Sequence, residues 1–324
     1  MKPSRLSDHR SLLALSLVLG ACGGSSAFHP PVAYTAAQLN GVAQPGLPEQ
    51  DPGAPTPVAR PTYSADGTPT EAPRMASVRV IHASPDRAAA SVDLYVDELP
   101  TPIATAVAYR SIVGAVEVPA GEHAIHVRPA GAAVTVAPAF TGHTPALEAD
   151  HRYTLVAHGL VGGAAPHALA LAADADSTSA PEAGTAHVRF FHAIVGLGAV
   201  DLCRPATPAR PAAAAQPARP AVPAAAVVEN VAYGAFASTG HDGQTSHYVP
   251  VPAGSALTLQ IRAHAARACT GLLRGTVTLT PADRSVVTAV AVGRATAPMS
   301  PRVLLLCSDG AYDGAPSCTP APIR

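Results

Sequence analysis

From Ser77 onward the apolar and polar positions alternate with a period of two. Val78, Val80 and His82 fall on one side of an extended segment, and Arg79, Ile81 and Ala83 on the other. Val92, Leu94 and Val96 alternate with Asp93, Tyr95 and Asp97, the pattern of a sheet with one buried face. Ser84-Pro85-Asp86 between them has the chemistry of a turn, because proline fixes φ and Ser or Asp closes the bend. Similar runs predict strands at 102–108, 113–118, 122–128, 132–137, 152–158 and 168–173, with Pro119-Ala120-Gly121 separating two of them. No window carries an amphipathic helical stripe. Short strands punctuated by turns every ten or so residues predict an all-β, immunoglobulin-like sandwich.

The pattern occurs twice. Ser77–Asp97 reappears roughly 110 residues later as His187–Cys203, with His192 in the place of His82 and Val200-Asp201-Leu202 in the place of Val92-Asp93-Leu94. Downstream, Val107-Ala108-Tyr109 matches Val231-Ala232-Tyr233, Val118-Pro119-Ala120-Gly121 matches Val251-Pro252-Ala253-Gly254, and Asp174 aligns with Asp309. The expected organisation is a leader over 1–21, a tether over 22–74, one sandwich over 75–176, a linker over 177–184 and a second sandwich over 185–324. Two domains of this size should fold semi-independently.

The leader sets the compartment. Lys2, Arg5 and Arg10 precede the apolar run Ser11–Leu19, too short to span a bilayer as a helix and suited to a secretory signal. It ends in Leu19-Gly20-Ala21-Cys22, similar to the bacterial lipobox, whose cysteine is acylated and becomes residue one. An ordinary signal peptide followed by an incidental cysteine is the alternative. Acylation at Cys22 would attach the chain to a membrane at ~0.8 kcal/mol per buried methylene, and Gly23 rather than Asp implies the outer membrane of a Gram-negative cell. Residues 27–74 contain 10 prolines and few large apolar side chains, so they cannot offset the entropy of ordering. They should form an extended tether with a span on the order of 40 Å.

Composition removes several chemistries. Lys2 is the sole lysine, so a mature chain beginning at Cys22 has no Schiff-base, P-loop or Ser-Lys chemistry. That mature chain has 18 basic and 21 acidic residues, a net charge of −3, without the basic face that nucleic-acid binding requires. Cys203, Cys269, Cys307 and Cys318 form an even set in an exported chain, the pattern of disulfides. Of three pairings, Cys307–Cys318 is the shortest closure and leaves Cys203–Cys269, with Cys203 in the place of the outward Tyr95. A metal site is the alternative, but C-x-x-C spacing is absent. Arg204–Ala226 is a Pro/Ala/Arg insertion whose composition predicts a mobile excursion. Arg204, Arg210 and Arg219 could meet an acidic polymer, although solvated loop charge is the simpler reading.

The segments R-V-I-H-A-S-P-D, S-V-D-L-Y-V-D and V-P-A-G-E-H-A-I-H-V-R-P resemble the bacterial domain-of-unknown-function family numbered 4397. The second copy departs from it where Ile194-Val195-Gly196 replaces Ser-Pro-Asp. The resemblance implies a β-sandwich module of secreted and cell-surface proteins, often in tandem and often lipidated. It implies no activity and no catalytic residues.

Among fourteen histidines, His82 and His192 recur at one repeat position and are the best candidates for chemistry. A histidine that hydrogen-bonds the following turn would recur in the same way. His123 and His126, three apart on a strand, face opposite sides. His241-Asp242 and Ser246-His247 lack an evident orienting group, and H-E-x-x-H, G-x-S-x-G and phosphate-binding glycine loops are absent. The preferred expectation is a non-enzymatic envelope lipoprotein without cofactor or metal, presenting binding or structural modules to an envelope glycan or protein. The alternative is a histidine-dependent metal-binding or hydrolytic surface protein.

Overall fold

The computed structural model describes residues 62–63, 69–70, 73–177, 179–212, 217–237, 247–296, 300–309 and 317–324. Cys22, His241, Asp242 and Ser246 lie outside them. A minimal ladder, β1 (Thr62–Tyr63) with β2 (Pro69–Thr70), precedes the repeats. The first repeat contains β3 (Met75–His82), β4 (Ser91–Val96), β5 (Ala104–Ala108), β6 (Ile112–Pro119), β7 (Ala124–Pro129), β8 (Phe140–His143), β9 (Arg152–His158) and β10 (Ala170–Ala175). The second contains β11 (Thr185–Val195), β12 (Val200–Arg204), β13 (Ala225–Val231), β14 (Tyr248–Pro252), β15 (Leu257–Ala263), β16 (Leu273–Leu279), β17 (Val286–Arg294), β18 (Val303–Ser308) and β19 (Cys318–Pro322). The described residues are all-β apart from one 3-10 turn at Arg87–Ala89.

Each repeat is a sandwich of two sheets with the same topology. In the first, the strand orders are β10-β9-β3-β6 and β5-β4-β7-β8. In the second they are β14-β11-β17-β18-β19 and β13-β12-β15-β16, with β19 an added edge strand. Between the sheets, Val78, Val80, Val92, Leu94, Val96, Ile125, Val127 and Leu155 form one core. Val188, Phe190, Leu202, Leu259, Ile261, Ala289 and Leu304 form the other. The alternation of apolar positions in β3 and β4 thus places their side chains as period-two reasoning requires.

One expected strand is displaced. Residues 132–137 form turns, and the edge strand is β8 at Phe140–His143, paired with β7 in the register Val127↔Phe140. Val134 and Val136 are 45% and 51% exposed, whereas Phe140 packs against the core. Burying one aromatic ring outweighs the β-propensity of two valines.

The insertion is a ribbon. Beyond the β12–β13 pair at Arg204↔Ala225, the backbone pairs at Thr207↔Val222 and Arg210↔Arg219. At both pairs the N–H groups donate to the opposite carbonyl in both directions, at 2.8–2.9 Å. Thr207, Arg210, Arg219 and Val222 each precede a proline. The steric demand of proline holds the preceding residue extended, and these residues retain the donors that proline lacks. Composition alone misread this segment because the period of three leaves one pairing residue per repeat.

Both disulfides join the expected partners, Cys203–Cys269 and Cys307–Cys318. The first closes 66 residues, worth about 4 kcal/mol in the chain-entropy account. The second joins directly opposed residues of β18 and β19 and fixes the C-terminal edge strand.

A third core lies between the repeats. Ile81, Ala83 and Val156 pack with Phe191, Ala193, Val290, Val292 and Leu305. The sheets containing β3 and β11 are therefore covered on both faces, by their own sandwich and by the other repeat. Each has a parallel pair at its centre, β3 with β9 and β11 with β17. Parallel pairs occur in sheets buried on both sides.

Candidate functional site

The repeated histidines sit at the strand ends that lead into the next sheet. His82 and His192 are each 2% exposed. His82 Nε2 lies 2.6 Å from the Ala89 carbonyl, and its Nδ1 lies 3.4 Å from the Ser84 amide. With the proton on Nε2, the ring donates to the first and accepts from the second. His192 repeats the arrangement with the Gly198 carbonyl at 3.1 Å and the Ile194 amide at 3.3 Å. Burial lowers both pKa values, that of His192 to about 4. Neutral rings at pH 7 fit the one-donor, one-acceptor geometry.

The connections differ as the two sequences do. In the first repeat, Ser84 Oγ donates to the Gly159 carbonyl at 2.7 Å, and Asp86 accepts from Ala88 and Val161 amides. Without Ser-Pro-Asp, the second repeat continues β11 through Val195, paired in parallel with Arg294. Replacing His82 by leucine strands the Ala89 carbonyl and the Ser84 amide, and should cost roughly 1–3 kcal/mol. His82→Gln retains a donor and an acceptor and should cost less. Because the repeats share a core, thermal melts should show both losses as a shift of one common transition, not as melting of the first repeat alone.

His192 belongs to a wider cluster. Tyr233 lies edge-on to His158, His167 and His192, with ring centroids 5.5, 4.3 and 5.7 Å away. Burial, with the nearby His192, lowers the His158 pKa to about 4, and burial raises Tyr233 to about 12. Gly234 has φ +75°, and a Cβ there would stand 2.6 Å from His158 Cε1. Glycine is required both for the backbone and for the ring beside it. His123 and His126 are separate. His123 bridges Asp97 Oδ2 and the Pro119 carbonyl, each at 2.7 Å. His126 lies on the outer face beside Thr141. Among the described residues, no group of three or more His, Cys, Asp or Glu side chains is spaced to hold a metal ion.

The densest polar constellation is one that sequence reading missed. Arg79 and Arg189, equivalent in the repeats, are 2% and 0% exposed at the interface. Arg79 reaches into the second repeat, donating to Asp309 Oδ1 and, at 2.6 Å, to the Ser308 carbonyl. Arg189 reaches into the first, donating to Asp176 Oδ1 at 2.6 Å and to the Ala175 carbonyl at 3.0 Å. Each arginine therefore grasps the aspartate of the other repeat and the carbonyl before it. Thr154 and Thr288, again equivalent, bridge them: Thr154 Oγ1 donates to Asp176 at 2.5 Å and Thr288 Oγ1 to Asp309 at 2.6 Å. Both hydroxyls also accept from the arginines. Asp174 and Tyr248 complete the shell, with Asp174 Oδ2 2.7 Å from Arg189 Nη1 and the Tyr248 hydroxyl donating to Asp309 at 2.6 Å. Burial works against the Arg189 charge, but Tyr248 and the three carboxylates hold its pKa above the ordinary value.

This constellation corrects the repeat alignment: the structural counterpart of Asp309 is Asp176, two residues beyond Asp174. Asp176 donates its amide to the Arg152 carbonyl and Asp309 to that of Val286, in equivalent ladders. The available signal was an arginine at the centre of each of two otherwise apolar strands, facing away from its own core. Full burial and mutual satisfaction suit the network to joining the repeats rather than to turnover.

Asp93 and Asp201 are a second missed pair. Asp93 accepts from Ala106 N and Gly131 N, and Asp201 from Asn230 N and Cys269 N. Ala106 and Asn230 have φ of 51° and 53°, at bulges of β5 and β13. The carboxylate fixes the left-handed residue at each bulge.

A family model, described as a domain of unknown function (DUF4397), matches residues 76–203. The match spans the first repeat and the opening strands of the second, ending where the proline-rich ribbon begins. No curated protein matches the chain.

Proposed function

We propose that the chain is a non-enzymatic envelope lipoprotein, anchored through Cys22, that presents its two sandwiches as one rigid binding or structural head at the end of a proline-rich tether. The supporting observation is that the polar side chains best suited to chemistry are engaged in joining the chain to itself. His82 and His192 fasten connections, and Arg79, Arg189, Asp176 and Asp309 join the repeats. Two disulfides suit an extracytoplasmic compartment. The all-β fold and the family match favour a surface or structural protein.

Outer-membrane attachment is the reading that Leu19-Gly20-Ala21-Cys22-Gly23 favours. Cys22→Ser should abolish labelling by a palmitate analogue and move the protein from the membrane to the soluble fraction. A variant that stays in the membrane, with a wild type that takes no label, would exclude the anchor. Metal content after dialysis tests the absence of a histidine-dependent activity: stoichiometric zinc or copper, lost in His192→Ala, would overturn the non-enzymatic reading.

A further inference from the structure

The outer face of the β5-β4-β7-β8 sheet carries a groove of about 280 Å³, between the sheet and the connection that follows β7. Tyr95, Glu98, Leu99, Arg128, Val134 and Pro138 line it. The second repeat provides an internal comparison, because Asp93 stands opposite Arg128 as Asp201 stands opposite Arg262. Neither aspartate is committed to its arginine, since both accept from backbone amides at the bulges. Arg262 is satisfied elsewhere: Nε donates to Gln260 Oε1 at 2.9 Å, and Nη1 to the Gly271 carbonyl at 3.0 Å. Beside it, Cys203–Cys269 staples the following connection onto the sheet.

In the first repeat these closures are absent. Tyr95 stands in the place of Cys203, and His126 in that of Gln260, with its Nδ1 engaged by Thr141 Oγ1 at 2.9 Å. The Arg128 guanidinium lies over the Tyr95 ring at 5.4 Å, and its Nε and Nη1 are buried without a hydrogen-bond partner among the described residues. Nε and Nη1 are closed to solvent, so a carboxylate-type acceptor in the groove would meet the guanidinium at its remaining nitrogen, Nη2. Glu98 is exposed on the same groove with no ion-pair partner among the described residues, and Leu99 and Val134 are exposed beside it.

We propose that this groove binds a small zwitterion of the amino-acid type, with its carboxylate on Arg128, its ammonium at Glu98 and an aliphatic side chain against Leu99 and Val134. A simple anion would meet Asp97 and Glu98 together, and a simple cation would leave Arg128 unmet. The volume is close to the lower end of small-molecule sites, roughly 300 Å³, which suits a single amino acid. The inference rests on the reading of the modules as binding units. It is separable from the anchor, because failure of leucine binding leaves the Cys22 labelling result unchanged.

Calorimetric titration of the full chain with leucine, N-acetylleucine, leucinamide and glucose tests it. Leucine should bind at one site, at least about tenfold tighter than either singly charged analogue, a gap of ~1.4 kcal/mol or more. Arg128→Gln and Glu98→Gln should each weaken it by a similar factor, and Arg262→Gln should not. Leucine should be recovered unchanged. By NMR of the wild-type chain, leucine should move the Arg128 Nε–H resonance and not that of Arg262, a readout independent of any variant's folding. No leucine binding, equal binding of glucose, or leucine binding retained in Arg128→Gln would each overturn the proposal.

Discussion

Replacing Arg189 by methionine should lower the unfolding free energy by about 3–5 kcal/mol, the range for breaking a buried ion pair by removing one partner. Methionine approximates the length of the aliphatic stem, so little volume is lost. The charge and its donors are lost, leaving Asp176, Asp309 and Asp174 with fewer cationic partners in a site that is itself 0% exposed at residue 189. Arg79, whose Nε already lies 3.2 Å from Asp176 Oδ2, offsets only part of the deficit, because its donors also serve Asp309, Ser308 and Thr154. Urea denaturation should show one transition with a lower midpoint and an unchanged slope, since the same surface is exposed on unfolding. Raising the salt concentration on wild type should not reproduce the loss, because buried pairs are weakly screened. A cost below about 1 kcal/mol, the scale of exposed pairs, would mean that the network contributes little to joining the repeats.

Acidification should destabilise the protein between about pH 6.5 and 4. Burial lowers the pKa values of His158 and His192 to about 4 in the fold, from 6.5 in the unfolded chain. The unfolded state binds more protons between these values, so the stabilisation is complete above pH 6.5, is lost as pH falls, and levels off below 4. A gap of this width is worth about 3 kcal/mol for one ring. Burial of His82 acts in the same direction. His123 acts in the opposite one: burial disfavours its charge, but the hydrogen bond from its ring to Asp97 raises the pKa. His158→Leu should flatten the acid limb of a melting-point profile, and it breaks no hydrogen bond at Nδ1, which has no partner among the described residues. An acid limb unaffected by this substitution would assign the pH dependence elsewhere.

The sandwich and the repeat were legible because period-two alternation reports which side of a strand is dry. The Val92-Asp93-Leu94 type of run predicts a sheet with one wet face; β4 and β12 keep the alternation of sides, but Asp93, Tyr95, Asp201 and Cys203 on the outer side are buried as well. In β3 and β11 the same rule gives less: Ile81 and Phe191 are apolar on the face away from their own core. That near-continuous apolarity is the sign of a doubly covered sheet, but sequence does not say what provides the second cover. Two semi-independent domains were the natural expectation, and the shared core with its crossed arginines replaces it. The arginines themselves read as ordinary solvent-facing charges until both repeats are docked. The disulfides were legible for a different reason, since four cysteines admit only three pairings and the shortest loop decides one. The groove at Arg128 was not legible, because an arginine with a partner and one without look alike in sequence.

The two disulfides have a further consequence for how the chain matures. Cysteines pair in the order in which they occur, the first of the four with the second and the third with the fourth. The covalent loops are sequential, neither nested nor crossed. With Cys22 acylated as proposed, a chain emerging from its N-terminus would reach the native set by pairing each of these four cysteines in order of appearance. Thiol–disulfide exchange, the slow seconds-to-hours step in maturation, is needed only to repair errors. Maturation is therefore expected to depend on an oxidant and not on an isomerase.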